Sequence, residues 1–374
     1  MKFNQIKFQH PKTKTYLGSP SIIRLIGGTM LATHDYFGPG CPKNHENEEH
    51  LTSVYRSTDD GATWSNLTHV ANAYWSTLFT HQGDVYLIGT SQQYGSIVIR
   101  RSSDGGYTWS HPSDDRSGLL FQGGPFHQPP NYHCAPVPIL EKDGRLYRAF
   151  EDCTPCLWGT GFQSLIISAD SSADLLQASS WTMSNKLPFD SSHVPSEWGK
   201  LEKPGWLEGN LVETKGGEVW NILRFNSTPI WDKAAVIQVH DGGQKITFQP
   251  NDGFIDFPGG ITKFTIRFDS VSELYLTLSN NNPNTENPSR RSVLSLHASE
   301  NLTDWQHKMT LLQDDSGLPY NQSIELTGFQ YPDWQFDGED IICLVRTAYD
   351  GAHNFHDSNR ITFHRIKNFR RLIS

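Results

Sequence analysis

No run of about 18 consecutive apolar residues occurs in this 374-residue chain, so neither a transmembrane helix nor a membrane partner is expected. Basic blocks are missing too. With 31 Lys and Arg against 40 Asp and Glu the net charge is −9, which argues against nucleic acid as a partner. Cysteine is scarce: Cys41, Cys134, Cys153, Cys156 and Cys343 are odd in number and irregularly spaced, which argues against a disulfide framework. Cys153 and Cys156 form a lone C-x-x-C, with no second pair and no histidines at zinc spacing. His353, His356 and Asp357 sit among glycine and asparagine in what reads as a flexible loop, so neither a metal nor a cofactor is expected. The opening MKFNQIKFQHPKTK lacks the apolar core of a secretory leader; the expectation is a cytoplasmic protein, or one whose leader has been trimmed. Linker-like and low-complexity stretches are also absent, and the chain reads as one domain over 1–374.

What is abundant points to β-structure. Aromatic residues reach 12%, and 31 Gly and 21 Pro are scattered rather than clustered, as in many short strands joined by tight turns. Core packing of a β protein accounts for most of the aromatics, although sugar clefts also use them. Two segments are nearly the same, Ser57-Thr-Asp59-Asp-Gly61-Ala-Thr-Trp64 and Ser102-Ser-Asp104-Gly-Gly106-Tyr-Thr-Trp109, and they lie 45 residues apart. A degenerate copy runs from Ser299 through Asn301 to Trp305, and a weaker one begins at His240. Their chemistry is turn chemistry: the Asp carboxylate bonds nearby N–H groups, Gly supplies a positive φ, and Trp packs the returning strand. Four-strand units fall near 15–70, 71–125, 130–190, 205–250, 258–312 and 325–374, each with a polar first turn. Six units predict an all-β, six-bladed β-propeller, with residues 2–8 joining the last blade to close the ring.

Strand direction then selects the residues that meet. With the strands of a blade lettered A to D from the axis outward, the repeated turns are C–D turns and share the bottom face with the A–B turns. The top must be lined by the starts of the A strands and by the B–C loops. Those positions carry His34 and Asp35 with Glu48 in blade 1, His133 in blade 3, Glu208 and Arg224 in blade 4, Lys263 and Arg291 in blade 5, and Tyr331, Trp334 and Arg346 in blade 6.

At these positions the chain resembles the sialidase family over nearly its full length, and the two intact turns resemble that family's Asp-box. Gly205-Trp-Leu-Glu208, followed by Trp220-Asn-Ile-Leu-Arg224, looks like the stretch whose Glu partners a catalytic tyrosine and whose Arg binds the substrate carboxylate. Arg291-Ser-Val-Leu-Ser-Leu is similar to the strand that carries another arginine of the triad, and Tyr331-Pro-Asp333-Trp to the stretch that carries the nucleophile. Gly18 falls where the family has its remaining arginine, and Arg346 is an extra cation in blade 6. The resemblance implies a glycoside hydrolase for a carboxylate-bearing sugar or acidic glycan. Tyr331 is then the nucleophile, Glu208 its base and Asp35 or Glu48 the proton donor, while Arg224, Arg291, Arg346, His133, His34, Lys263 and Trp334 bind substrate.

Two other chemistries fit the same residues. A polysaccharide lyase acting on uronic acids would use an arginine to neutralise the carboxylate and His133 or Tyr331 as base. A non-catalytic sugar-binding propeller would need no Tyr331–Glu208 pair.

Overall fold

In a computed structural model, which describes residues 3–281, 287 and 289–373, the chain forms six sheets around one axis. This is the all-β, six-bladed propeller expected. Strand A of blade 1 is broken into Tyr16–Leu17 and Ser21–Arg24; the A strands of blades 2, 4, 5 and 6 are Tyr74–His81, Gly205–Glu213, Thr265–Asp269 and Gly328–Asp337. In blade 3 the A strand is split into Tyr132–His133 and Leu140–Lys142. The polar A–B turn of each expected unit is present, at residues 26–28, 82–83, 143–144, 215–217, 270–273 and 338–339. Strand Asn4–Phe8 pairs with Arg360–Ile366 as the outermost strand of blade 6 and closes the ring; Lys2, expected in the same strand, lies outside the described residues.

Each repeated turn is a small hydrogen-bonded cage. Asp59 accepts from the Ser57 hydroxyl at 2.9 Å, the Thr63 amide at 2.9 Å and the Thr63 hydroxyl at 2.5 Å, while Trp64 Nε1 donates to the Gly61 carbonyl at 3.2 Å. Asp104 repeats the pattern with Ser102 and Thr108, whose hydrogen bonds hold its carboxyl down to about 2. Gly106 has φ +97°, and a Cβ there would stand 2.9 Å from Leu31 of the preceding blade. In the degenerate copy Leu302 takes that place at φ 71° and packs among Val212, Ile222 and Ala234, again on the preceding blade. These turns therefore dock one blade on the next, on the bottom face.

Near the axis, side chains of one A strand bond the backbone of its neighbour. Asp333 accepts from the Ser21 hydroxyl at 2.8 Å and the Ile22 amide at 2.9 Å, and Ser21 Oγ accepts from the Leu78 amide at 3.0 Å. Thr77 bonds both polar groups of Val137, Asn210 reaches Phe264 and Ile266, and Thr265 donates to Pro332. Buried backbone and side-chain polar groups thus satisfy one another across the ring, and they fix the A strands that carry the site.

Candidate active site

The site begins with one irregularity used three times. In blades 2, 4 and 6 the pairing of strands A and B skips two residues on A for one on B. Register breaks between Tyr74 and Thr77, Leu207 and Asn210, and Gln330 and Asp333. These are β-bulges, which bend a strand and re-aim a side chain. The first bulged residue is left-handed each time: Trp75 at φ 46°, Glu208 at φ 59° and Tyr331 at φ 52°. That conformation is unfavourable for a non-glycine residue and costs on the order of 1 kcal/mol or more. A Trp, a Glu and a Tyr holding it at one level of the ring marks a place where side-chain direction matters more than backbone ease.

Glu208 and Tyr331, from blades 4 and 6, meet: the phenol donates to Oε1 at 2.8 Å. Arg224 Nη1 donates to Glu208 Oε2 at 3.1 Å and lies 3.4 Å from the Tyr331 oxygen. The Arg291 and Arg346 guanidinium groups stand 5.6 and 5.0 Å from the centre of the Tyr331 ring. The three arginines are 5–6% exposed, and among the described residues only Glu208 forms an ion pair with any of them. Arg224 Nη2, Arg291 Nη2 and Arg346 Nη1 make no hydrogen bond among the described residues, so one donor of each arginine is free for a ligand.

Electrostatics follow from this packing. Burial would push the Glu208 carboxyl up, but Arg224, the neighbouring His133 and the Tyr331 hydroxyl outweigh it and hold Glu208 below its ordinary value. Burial and the Glu208 charge raise the Tyr331 phenol, against all three arginines. The pair is therefore a phenol that keeps its proton beside a carboxylate that is ionised. Across the ring, Asp35 is 1% exposed, and burial pushes its carboxyl up to about 8. Its Oδ2 accepts from the Trp75 amide at 2.9 Å, and Oδ1 lies 2.7 Å from Thr52 Oγ1. The Thr52 hydroxyl has a single proton and also lies 2.7 Å from the Ala73 carbonyl, so a protonated Asp35 donates to Thr52, which donates to Ala73. Glu48 is half-buried in the blade 1 B–C loop, and burial raises its carboxyl above its ordinary value.

No protein-family model matches the chain, and no curated protein matches it in sequence. Solved structures do match in shape. An α-L-arabinanase of Penicillium chrysogenum complexed with arabinobiose is 13% identical at a TM-score of 0.62, over 98% of each chain. An α-L-arabinofuranosidase of Fusarium graminearum in complex with an iminosugar inhibitor is 13% identical at 0.62, over 100% of this chain and 99% of that one. The Trypanosoma rangeli sialidase in complex with the inhibitor DANA is 14% identical at 0.61, over 96% of this chain and 56% of that one. The chain shares its fold with propeller glycosidases.

Four residues expected at the mouth sit elsewhere, and the reasons are physical. Trp334 follows the blade 6 bulge and turns into the sheet; it is fully buried in the core of blades 5 and 6, with Nε1 donating to the Thr265 carbonyl at 3.0 Å. His34 alternates with Asp35 along its strand and so points the other way, stacked on Tyr55 at 5.4 Å and pushed down to about 4 by burial. Lys263 is 1% exposed below Tyr331, donating to Thr265 Oγ1 at 2.7 Å and the Pro332 carbonyl at 2.6 Å, and burial lowers it to about 8. His133 is buried between Trp75 and Phe162 with Nδ1 2.8 Å from Glu151, a pairing the sequence did not reveal. Sequence reasoning also missed Trp158, which is 47% exposed in the blade 3 B–C loop and stacks on Arg224 at 5.7 Å. An exposed tryptophan beside Leu157 in a loop was the available signal. At position 18 a Cβ would lie 3.0 Å from that of Asp35, so Asp35 fills the space a side chain there would need.

Proposed function

We propose that this protein is a retaining exo-glycoside hydrolase for a sugar that bears a carboxylate. The observation that carries the reading is three buried arginines gathered on Tyr331 with one ion-paired carboxylate among them. Such a cluster repels itself unless an anion joins it, and guanidinium forks match a carboxylate. Tyr331 attacks the anomeric carbon as Glu208 takes the phenolic proton, and the leaving oxygen takes a proton from Glu48, a half-buried carboxyl that burial holds above its ordinary value. Water then attacks the glycosyl-tyrosine; Glu48 accepts the water proton and Glu208 returns its own to the phenol. A neutral phenol suits this task because it approaches an anionic sugar without charge repulsion, and it needs the adjacent base because an ordinary phenol has a pKa of about 10.

A lyase that uses His133 as its base is less well supported, because His133 is committed to Glu151 and packed on two sides. The test is a panel of aryl glycosides of sialic and uronic acids together with α-L-arabinofuranosides. Release of the aryl group from an acidic member, with retained configuration in the first-formed sugar, supports the proposal. Release from the arabinofuranoside alone refutes it, and new absorbance at the unsaturated uronide band would show elimination.

A further inference from the structure

Arg346 reaches Tyr331 from the end of strand B in blade 6, and what holds it there is the loop that follows. Its Nη2 donates to the His356 carbonyl at 2.7 Å and lies 3.2 Å from His356 Nε2; its Nε donates to Ser358 Oγ at 3.2 Å. His356 is in turn fixed at its other nitrogen, where Nδ1 lies 2.9 Å from Asp357 Oδ1. For Nε2 to accept from a guanidinium, the imidazole must be neutral with its proton on Nδ1, which the Asp357 carboxylate then receives. The second Asp357 oxygen lies 2.7 Å from His353 Nδ1 and accepts from the Asn354 side chain at 3.0 Å. His353 stacks on Tyr16 at 5.5 Å with planes 8° apart, and Ser358 exchanges hydrogen bonds with Leu17. The loop is thus clamped onto strand A of blade 1 one residue before Gly18.

We infer that His356 and Asp357 are positioning residues that set Arg346 as the third arm of the carboxylate clamp, doing from blade 6 what a side chain at position 18 does not do from blade 1. The inference rests on the acidic-sugar reading for the purpose of the clamp, but not for the ordering of Arg346. Burial of Arg346 at 5% exposure, with Phe37 stacked 4.5 Å from its guanidinium, leaves it few other rotamers once seated, so the loop decides whether it is seated at all. Asp357 carries the countercharge without touching Arg346, which keeps a donor of the guanidinium free for a ligand.

Two measurements on the full chain test this. In ligand-free protein labelled with [15Nε]-arginine, Arg346 is expected to give a sharp, slowly exchanging Nε–H signal, assigned with Arg346→Lys. His356→Leu and Asp357→Asn should broaden or lose it while the other arginine signals stay in place. On an acidic aryl glycoside turned over by the wild type, His356→Leu should raise KM about tenfold, the equivalent of one charge-assisted hydrogen bond at about 1.4 kcal/mol, with kcat within about twofold. In an Arg346→Ala background the same substitution should add nothing, because the two act as one unit. An unchanged Arg346 signal in both variants, or a KM effect that persists without Arg346, overturns the inference. Loss of the signal in a protein that neither binds nor turns over any acidic sugar overturns the acidic-sugar reading and upholds the ordering of Arg346 by this loop.

Discussion

Replacing Arg291 with methionine should make the protein more stable and less active. Arg291 is 6% exposed; burial, followed by the charges of Arg224 and Arg346, pushes it below its ordinary value to about 10. A base whose folded value lies below its unfolded one opposes folding wherever it is protonated in both states, here at every pH below about 10, and the penalty fades as pH rises from there through the ordinary guanidinium value. At about 1.4 kcal/mol per pH unit the cost is about 3 kcal/mol. Against it stand the hydrogen bond from Arg291 to Gln330 and the contact with the Tyr331 ring at 5.6 Å. Together these contribute about 1–2 kcal/mol. Methionine keeps much of the volume without the charge, so the net gain is about 1–2 kcal/mol, or a few degrees in melting temperature. Urea denaturation at pH 7 measures the first quantity and aryl-glycoside turnover the second. A variant less stable than the wild type would refute the reasoning, because it would show the arginine cluster to be a structural network and not a preorganised anion site.

Tyr331→Phe should abolish turnover while leaving binding of an acidic sugar measurable; Glu208→Gln should fall comparably, and the double variant should be little worse than either, as kinetics of the three will show. Ser102→Ala removes the hydroxyl that receives the Gly106 amide at 2.8 Å and should cost about 1–2 kcal/mol of stability with unchanged turnover per folded molecule. Asp104→Ala on the same turn should also lower the melting temperature without touching the chemistry. Because Asp35 sits near 8 in the fold, the folded state holds a proton that the unfolded state releases near 4, so stability should fall as pH rises from about 4 to about 8. Asp35→Asn should flatten that slope in denaturation curves at pH 5 and pH 8; an unaltered slope would show that Asp35 is ionised in the fold.

Much of this architecture was readable because it is local. Asp59 and Asp104 stand in turns whose partners lie within four residues, so the spacing alone shows the cage. Tyr331, Glu208, Arg224, Arg291 and Arg346 come together as blade geometry requires, since each lies at a strand end on one face. What escaped the sequence depends on a register break. Trp334 shares a strand start with Tyr331 in the sequence, but it lies past the bulge at Tyr331 and Pro332, where the strand has already entered the core between blades 5 and 6. The Glu151 partner of His133 and the Arg224 platform of Trp158 are separated in the chain by distances that no motif spans. The seat of Arg346 was equally hidden, because a loop rich in His, Asn and Gly reads as mobile until its bonds are seen.

The ring is fastened by a strand at residues 4–8 lying against one at 360–366, so Asn4 finds Phe363 only when nearly the whole chain has been brought round. Among the described strands every other blade is built from neighbours in sequence, and this blade alone depends on a contact of the longest range, whose closure entropy must be met before its hydrogen bonds repay it. Until then strand 360–366 presents an open edge, the kind of surface that recruits foreign strands. The seam beside it, between blades 6 and 1, is where the loop carrying His356 leans on Tyr16 and Leu17. Hydrogen exchange should therefore find its least protected amides along that seam, and a slip of residues 4–8 would be felt first at the guanidinium of Arg346.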